Sequence, residues 1–177
     1  MRRSSKLALL TLVTLALAPA LAIAAPPDGV AADGHDWLGF CNPAGTWLGT
    51  ASTSGAVVVA TVVPAGVGRF ATLGESVADD PTFGGALPAV AASSNRADLR
   101  RTGPRTFDST GIRYGWDENL AVVWIERSET VSEFSPQCDS ATVSGLYHYY
   151  GGWQDPFGED LPAYGTYAGG AEVVRLP

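Results

Sequence analysis

Histidine and cysteine, two residue types often used in acid–base and nucleophilic catalysis, are scarce in this chain. Its 177 residues include two histidines, His35 and His148, and two cysteines, Cys41 and Cys138. A catalytic triad would need a serine or cysteine nucleophile and a carboxylate close to His148. The Gly-x-Ser-x-Gly turn of the α/β-hydrolases does not occur. We therefore expect no catalytic residues and no enzyme, and a hydrolase that uses His148 or paired carboxylates is the third-ranked alternative.

The residue types also argue against a metal ion or cofactor. Besides the cysteine pair Cys41 and Cys138, for which a disulfide is expected, the chain has only two histidines and no other cysteine, so a zinc site of the Cys/His kind, which usually takes four such ligands, cannot be completed. Asp155, Glu159 and Asp160 form an acidic group of the kind that binds Ca²⁺, but they lack the EF-hand spacing. We expect neither a metal site nor a cofactor.

The first 25 residues have the pattern of a secretory signal peptide. Arg2, Arg3 and Lys6 precede an apolar run over 7–17, and small residues at 20–24 suit a signal peptidase. The run is shorter than the ~20 apolar residues that a transmembrane helix needs. We expect export to the periplasm or the extracellular space, without stable membrane insertion after cleavage.

Export has consequences for the cysteines and the charge. Paired cysteines in an oxidising compartment usually form a disulfide, so we predict a bridge between Cys41 and Cys138. The alternatives are two free thiols or a cysteine nucleophile. Because three of the 11 basic residues lie in the leader, cleavage leaves 8 basic and 18 acidic residues, a net charge of −10. Such an acidic surface does not attract nucleic acid, so we expect no nucleic-acid partner. We also expect the protein to be a monomer.

The rest of the chain has the composition of a β-protein. Residues 26–44 predict an extended N-terminal arm, and residues 45–177 predict a single domain with almost no helix. Val, Thr and aromatic residues dominate that domain, and Gly, Pro, Asn and Asp interrupt it at turns. Eight strands are predicted, at about 45–53, 56–63, 67–73, 96–102, 105–115, 120–133, 138–150 and 165–176.

Two long loops, 74–95 and 151–164, separate some of these strands, and short turns join the others. Consecutive strands joined by short turns are antiparallel neighbours. Eight of them can close into an up-and-down barrel, which removes the exposed sheet edges. We therefore predict an all-β fold with one eight-stranded antiparallel barrel, and a two-sheet β-sandwich is the alternative.

Two features of the chain resemble the calycin group of lipocalin-like small barrels. Strand one opens with the Gly-x-Trp motif at Gly45 and Trp47, and Arg175 occupies the last strand. The resemblance implies that Trp47 closes the base of the barrel and that Arg175 packs across its indole. The 155–158 and 162–165 segments also resemble bacterial exported barrels without assigned function. This kinship implies a lipocalin-like fold more than an activity.

Aromatic residues crowd the last third of the chain. Tyr150, Trp153, Phe157 and Tyr164 fall in or beside the second loop, where they are typical of a pocket mouth or a sugar-stacking platform. We predict a non-enzymatic binding protein that holds a small apolar or aromatic molecule in or at the mouth of the barrel. The alternative is a carbohydrate-binding or surface interaction module that uses this aromatic loop.

Overall fold

The computed structural model describes residues 39–77, 81–82 and 85–177. The predicted signal peptide over 1–25 and most of the predicted arm, up to residue 38, lie outside these residues. The arm is therefore described only over 39–44.

The described residues form nine β-strands and no α-helix. The strands are β1 (Gly45–Ala51), β2 (Val57–Gly66), β3 (Arg69–Val77), β4 (Ala91–Ala92), β5 (Asn95–Arg101), β6 (Thr106–Trp116), β7 (Val122–Phe134), β8 (Ser140–Gly151) and β9 (Gly165–Arg175). Within these described ranges, no helix has the length and apolarity to span a membrane.

Eight of the strands close into one antiparallel barrel, as predicted. The ring runs β1–β2–β3–β5–β6–β7–β8–β9, and β9 pairs back onto β1 with Trp47 opposite Arg175. The closed ring excludes the two-sheet sandwich. The short β4 lies outside the ring and pairs with the end of β6, where Ala91 is opposite Trp116.

The predicted loop over 74–95 is wrong at both ends. β3 continues to Val77, because its last residues pair with the first residues of β2. β4 forms near the end of the same segment, and Val90 donates its N–H to the carbonyl of Trp116. Small residues with weak strand propensity become strand here because an existing strand supplies the hydrogen-bond partners.

The arm is bound across one end of the barrel, which we call the floor. The predicted Cys41–Cys138 disulfide is confirmed, with the two Cα atoms 5.4 Å apart. The backbone N–H of Cys41 also donates to the carbonyl of Pro104 at 2.9 Å, and Arg101 donates to the carbonyl of Cys41 at 2.8 Å. The bridge joins residues separated by 97 positions, for which the loop-entropy model gives a stabilisation of ~4–5 kcal/mol.

Aromatic side chains fill the barrel just above the arm. Trp47 and Phe134 meet edge to face at 5.2 Å between ring centroids, and Phe107 makes the same kind of contact with Phe134 and with Phe70. All four are buried. Edge-to-face contacts suit the quadrupoles of the rings and add to the free energy of burying their area. The floor is therefore a packed aromatic plug.

Arg175 connects this plug to the arm. Its guanidinium lies 4.8 Å from the centroid of the Trp47 ring and donates a hydrogen bond to the carbonyl of Asn42. The indole N–H of Trp47 donates to the carbonyl of Pro43 at 2.8 Å. Burial lowers the pKa of Arg175, and the negative charge of Asp139 partly offsets that effect. One contact thus joins the first strand, the last strand and the arm.

Replacing Arg175 by methionine should lower the free energy of unfolding by about 1–3 kcal/mol, because both the cation–π contact and the hydrogen bond to Asn42 are lost. Arg175→Lys should recover part of that loss, since it keeps the charge without the planar group. Urea unfolding measures both. Arg100→Met, at an exposed position of β5, is the control and should change stability by less than about 0.5 kcal/mol. Equal unfolding midpoints for Arg175→Met and the wild type would contradict this account.

Candidate functional site

Above the floor the barrel encloses a cavity of about 930 Å³. Its walls are built from small side chains, because the inward positions at mid-height of the strands carry Ala, Gly, Ser, Thr or Val. These inward residues include Ala60, Thr72, Gly74, Ala97, Ser109, Thr130, Ser132, Val143 and Ala171. Eight strands leave an interior just wide enough for side chains or one small ligand, so small residues here leave it hollow.

The cavity is closed at the floor and reaches exposed residues at the other end. Trp47, Phe134 and Leu99 line its base. At the opposite end the lining includes residues 53–56 between β1 and β2, Val57 at the start of β2, and Tyr167 near the start of β9. Tyr167 is 55% exposed. A ligand can therefore approach along this side of the barrel.

A second cluster packs beside the upper end of the cavity. Trp124 is fully buried against Tyr149, with 5.7 Å between their ring centroids, and its indole N–H donates to the carbonyl of Pro81 at 3.2 Å. Leu87 and Ala89 are buried in the same cluster. The segment that precedes β4 thus covers the β6–β7 side of the barrel.

A group of polar side chains projects into the otherwise largely apolar cavity. The hydroxyl of Tyr149 donates to Glu126 at 2.8 Å, and the amide of Asn95 donates to Glu126 at 3.4 Å and to the hydroxyl of Ser128 at 3.2 Å. Glu126, Ser128 and Tyr149 are each at most 4% exposed. We call Asn95, Glu126, Ser128 and Tyr149 the polar node. It comes from β5, β7 and β8, which the barrel brings together.

Two neighbours shape the polar node. Gly111 lies under it: a Cβ at this position would come within 2.4 Å of the Oδ1 atom of Asn95 and 2.6 Å of the hydroxyl of Ser128. Arg113 is the register partner of Glu126 and also lines the cavity. Its guanidinium donates to the carbonyl of Ser93 at 2.9 Å and lies 5.8 Å from the Trp124 ring. Glycine provides the room for the node, and Arg113 places a positive charge beside its carboxylate.

Tyr147 lines the cavity next to the node. Burial raises the pKa of its hydroxyl, and the negative charge of Glu126 raises it further. A phenol that resists ionisation remains a neutral hydrogen-bonding group in this part of the wall. The site therefore combines apolar walls with one carboxylate and several neutral hydroxyl and amide groups.

The predicted ligand-binding residues lie elsewhere and do not form one surface. Tyr150 is 3% exposed and points away from the cavity, since strand alternation places Tyr149 inside. Trp153 and Phe157 are 76% and 64% exposed, and Tyr164 touches Trp153 edge to face with ring centroids 6.4 Å apart. None of the four is among the residues that line the cavity.

The loop over 151–164 is braced by Gln154. Its side-chain carbonyl accepts hydrogen bonds from the backbone N–H groups of Gly151 and Ala163, and its amide donates to the carbonyl of Leu161. Arg127 anchors the loop from the outer face of β7 by donating to the carbonyl of Pro156 at 2.6 Å. The exposed aromatic residues are therefore held on an ordered support.

His148 lies on the outer face of β8. Its Nδ1 is 2.8 Å from the hydroxyl of Thr166, and its Nε2 is 4.0 Å from the carboxylate of Glu129. That carboxylate is paired instead with Arg127 at 2.7 Å. The order of hydroxyl, imidazole and carboxylate resembles a triad, but the base–carboxylate hydrogen bond that would orient the imidazole is missing.

Sequence reasoning places Tyr149 on one face with Tyr147 but misses Asn95 and Glu126. Glu126 and Arg127 are adjacent in β7 and point to opposite faces, so both faces of the strand carry charged residues. Strand alternation therefore does not reveal which carboxylate is buried. The one signal is that Glu126 and Ser128 share a face with Trp124 and Phe134, whose size favours the interior.

No protein-family model, curated protein or solved structure was found to match this chain.

The raised pKa of Tyr147 predicts that the protein loses stability in alkaline solution. In the unfolded chain the phenol ionises near the usual tyrosine pKa of 10.0, whereas in the folded protein it keeps its proton to higher pH. The unfolded state then binds fewer protons, so the free energy of unfolding falls as the pH rises above about 10. Tyr147→Phe should reduce the slope of this fall, measured by urea unfolding at a series of pH values. Tyr114→Phe is the control, and an unchanged slope in Tyr147→Phe would contradict the assignment.

Proposed function

We propose that this chain is an exported, non-enzymatic binding protein, related to the lipocalin-like barrels, that holds a small and largely apolar molecule inside its barrel. The cavity of about 930 Å³ is the observation that carries this proposal. Ligand pockets typically measure about 300–1,000 Å³ and combine apolar walls with a few placed polar groups. The interior of this barrel has both properties.

The arrangement of side-chain sizes supports a binding role. A barrel that needed only stability would fill its interior, because empty apolar space destabilises a protein in proportion to its volume. Here large side chains are confined to the floor and the upper cluster, and small ones line the space between them. A ligand that fills this space would recover the missing contacts.

Export is supported by the leader-like sequence at residues 1–25 and by the Cys41–Cys138 disulfide. Disulfides persist in oxidising compartments and are rare in the cytosol. In such a compartment a soluble carrier shields an apolar molecule from water. The acidic surface keeps the carrier in solution and separates it from anionic partners.

Ala60→Phe should abolish binding of an apolar dye, because Ala60 lines the cavity and a phenyl group there would occupy the space of the ligand. The probe is N-phenyl-1-naphthylamine, whose fluorescence rises in apolar surroundings. We count binding as abolished when the affinity falls by at least tenfold, a difference of about 1.4 kcal/mol or more.

Thr61→Phe is the matched control, since Thr61 is the next residue of β2 and is exposed on the outer face. This variant should bind the dye like the wild type. If the wild type binds no dye, or if both variants lose it equally, an interior binding site is ruled out.

The aromatic loop supports a second candidate function, a carbohydrate-binding or surface interaction module. Trp153 and Phe157 are well exposed on a loop that Gln154 and Arg127 hold in place. Exposed aromatic rings on an ordered support are costly for a protein in water unless a partner covers them. Sugar rings stack on such faces.

Trp153→Ala should weaken retention of the protein on a polysaccharide column by several fold if the loop binds glycans, because the largest exposed ring is removed. Affinity electrophoresis in gels that contain soluble polysaccharides measures this retention. Val67→Ala, which removes another exposed apolar side chain at the turn between β2 and β3, is the control. Unaltered migration of Trp153→Ala on every polysaccharide that retards the wild type would remove this candidate.

A further inference from the structure

The polar node is costly for the protein unless it serves binding. A carboxylate in a largely apolar interior loses the solvation of water, and its neighbours must replace it. Glu126 is 3% exposed and is approached by Tyr149 and Asn95. A wall with no function for these groups would be more stable if it were wholly apolar.

One acceptor of the node lacks a hydrogen-bond partner. Asn95 directs its amide N–H groups to Glu126 and Ser128, while its carbonyl Oδ1 is buried without a hydrogen-bond partner. A buried carbonyl that lacks a partner is costly, so such an atom calls for an explanation. Glu126 adds a group that only accepts when ionised. Asn95 and Glu126 both line the cavity. A shift of the Asn95 side chain away from Gly111 would let an O–H or N–H group of a molecule in the cavity satisfy this carbonyl and bind the carboxylate as well.

Two charged residues face the cavity among those described, Glu126 and Arg113. Arg113 is held by the carbonyl of Ser93 and by the ring of Trp124, and it sits opposite Glu126 in the β6–β7 register. Its charge offsets that of the carboxylate. A ligand that carries its own carboxylate would meet Glu126 and the Asn95 carbonyl and be repelled by both.

We infer that the barrel selects an apolar molecule with one neutral hydrogen-bond donor, a hydroxyl or N–H group, which binds the Asn95 carbonyl and the Glu126 carboxylate. This inference rests on the proposed function and specifies its ligand class. The apolar body fills the space bounded by the small side chains of β2, β5 and β9, and the donor group reaches the node. Carboxylate-bearing analogues of the same size are discriminated against.

Three naphthalenes of matched size test the inference. 2-Naphthol carries a donor, 2-methylnaphthalene replaces it by a methyl group, and 2-naphthoate replaces it by a carboxylate. Each is titrated at neutral pH against the protein with bound N-phenyl-1-naphthylamine, and displacement of the dye measures its affinity. The wild type should bind 2-naphthol about tenfold more tightly than 2-methylnaphthalene, which is the effect of one hydrogen bond to a buried or charged acceptor. 2-Naphthoate should bind most weakly.

Variants of the node should remove this preference selectively. Asn95→Leu should bring 2-naphthol and 2-methylnaphthalene close to equal affinity, and Glu126→Gln should strengthen 2-naphthoate relative to 2-naphthol. Ser109→Ala, another polar position of the cavity wall, is the control and should leave the order unchanged. Unfolding midpoints show whether each variant is folded. If neither node variant folds, the order of affinities of the three naphthalenes for the wild type tests the inference.

The outcomes separate this inference from the proposed function. If none of the three naphthalenes displaces the dye and the dye itself does not bind, the binding proposal fails. If all three bind and 2-methylnaphthalene or 2-naphthoate binds as tightly as 2-naphthol, the interior site stands and the donor preference is wrong. If 2-naphthoate binds most tightly of the three, the donor preference is overturned, and Arg113 instead recognises the carboxylate of the ligand.

Discussion

The pairing of β9 with β1 is the constraint on which the rest of the molecule depends. It converts a row of antiparallel hairpins into a ring and leaves no edge between the first and last strands. At its end, Arg175 lies against Trp47 and binds the arm, and the disulfide ties that arm to the turn before β8. The same contacts between residues far apart in sequence therefore close the barrel and seal its floor.

Once the ring is closed and its floor packed, the rest of the interior can remain open. The aromatic plug and the upper cluster bury most of the large side chains that stabilise the domain. The middle of the barrel can then carry small residues, although each empty volume costs stability. This arrangement gives the cavity a rigid wall, because every strand of the ring is paired on both sides.

Strand β8 shows how alternation separates two surfaces whose residues are adjacent in sequence. Tyr149 points inward to Glu126, while Tyr150 points outward and lies 5.9 Å from the guanidinium of Arg127 under the aromatic loop. The aromatic residues in the last third of the chain thus form two groups, which lie on opposite faces of one sheet. An interior site and an outer platform can coexist on this barrel, because substitutions at one do not touch the other.

The sequence by itself determined the all-β class, the eight strands of the ring to within a few residues and the disulfide. These follow from local signals: turn residues, β-branched runs and two cysteines in one chain. Residues 91–92 became a strand only because β6 offers its partners. The polar node was also beyond local reasoning, since Asn95 and Glu126 are far apart in sequence. Alternation orders residues along one strand, but only the closed barrel decides which face is inside. The tertiary structure alone therefore revealed the hollow interior and the carboxylate within it.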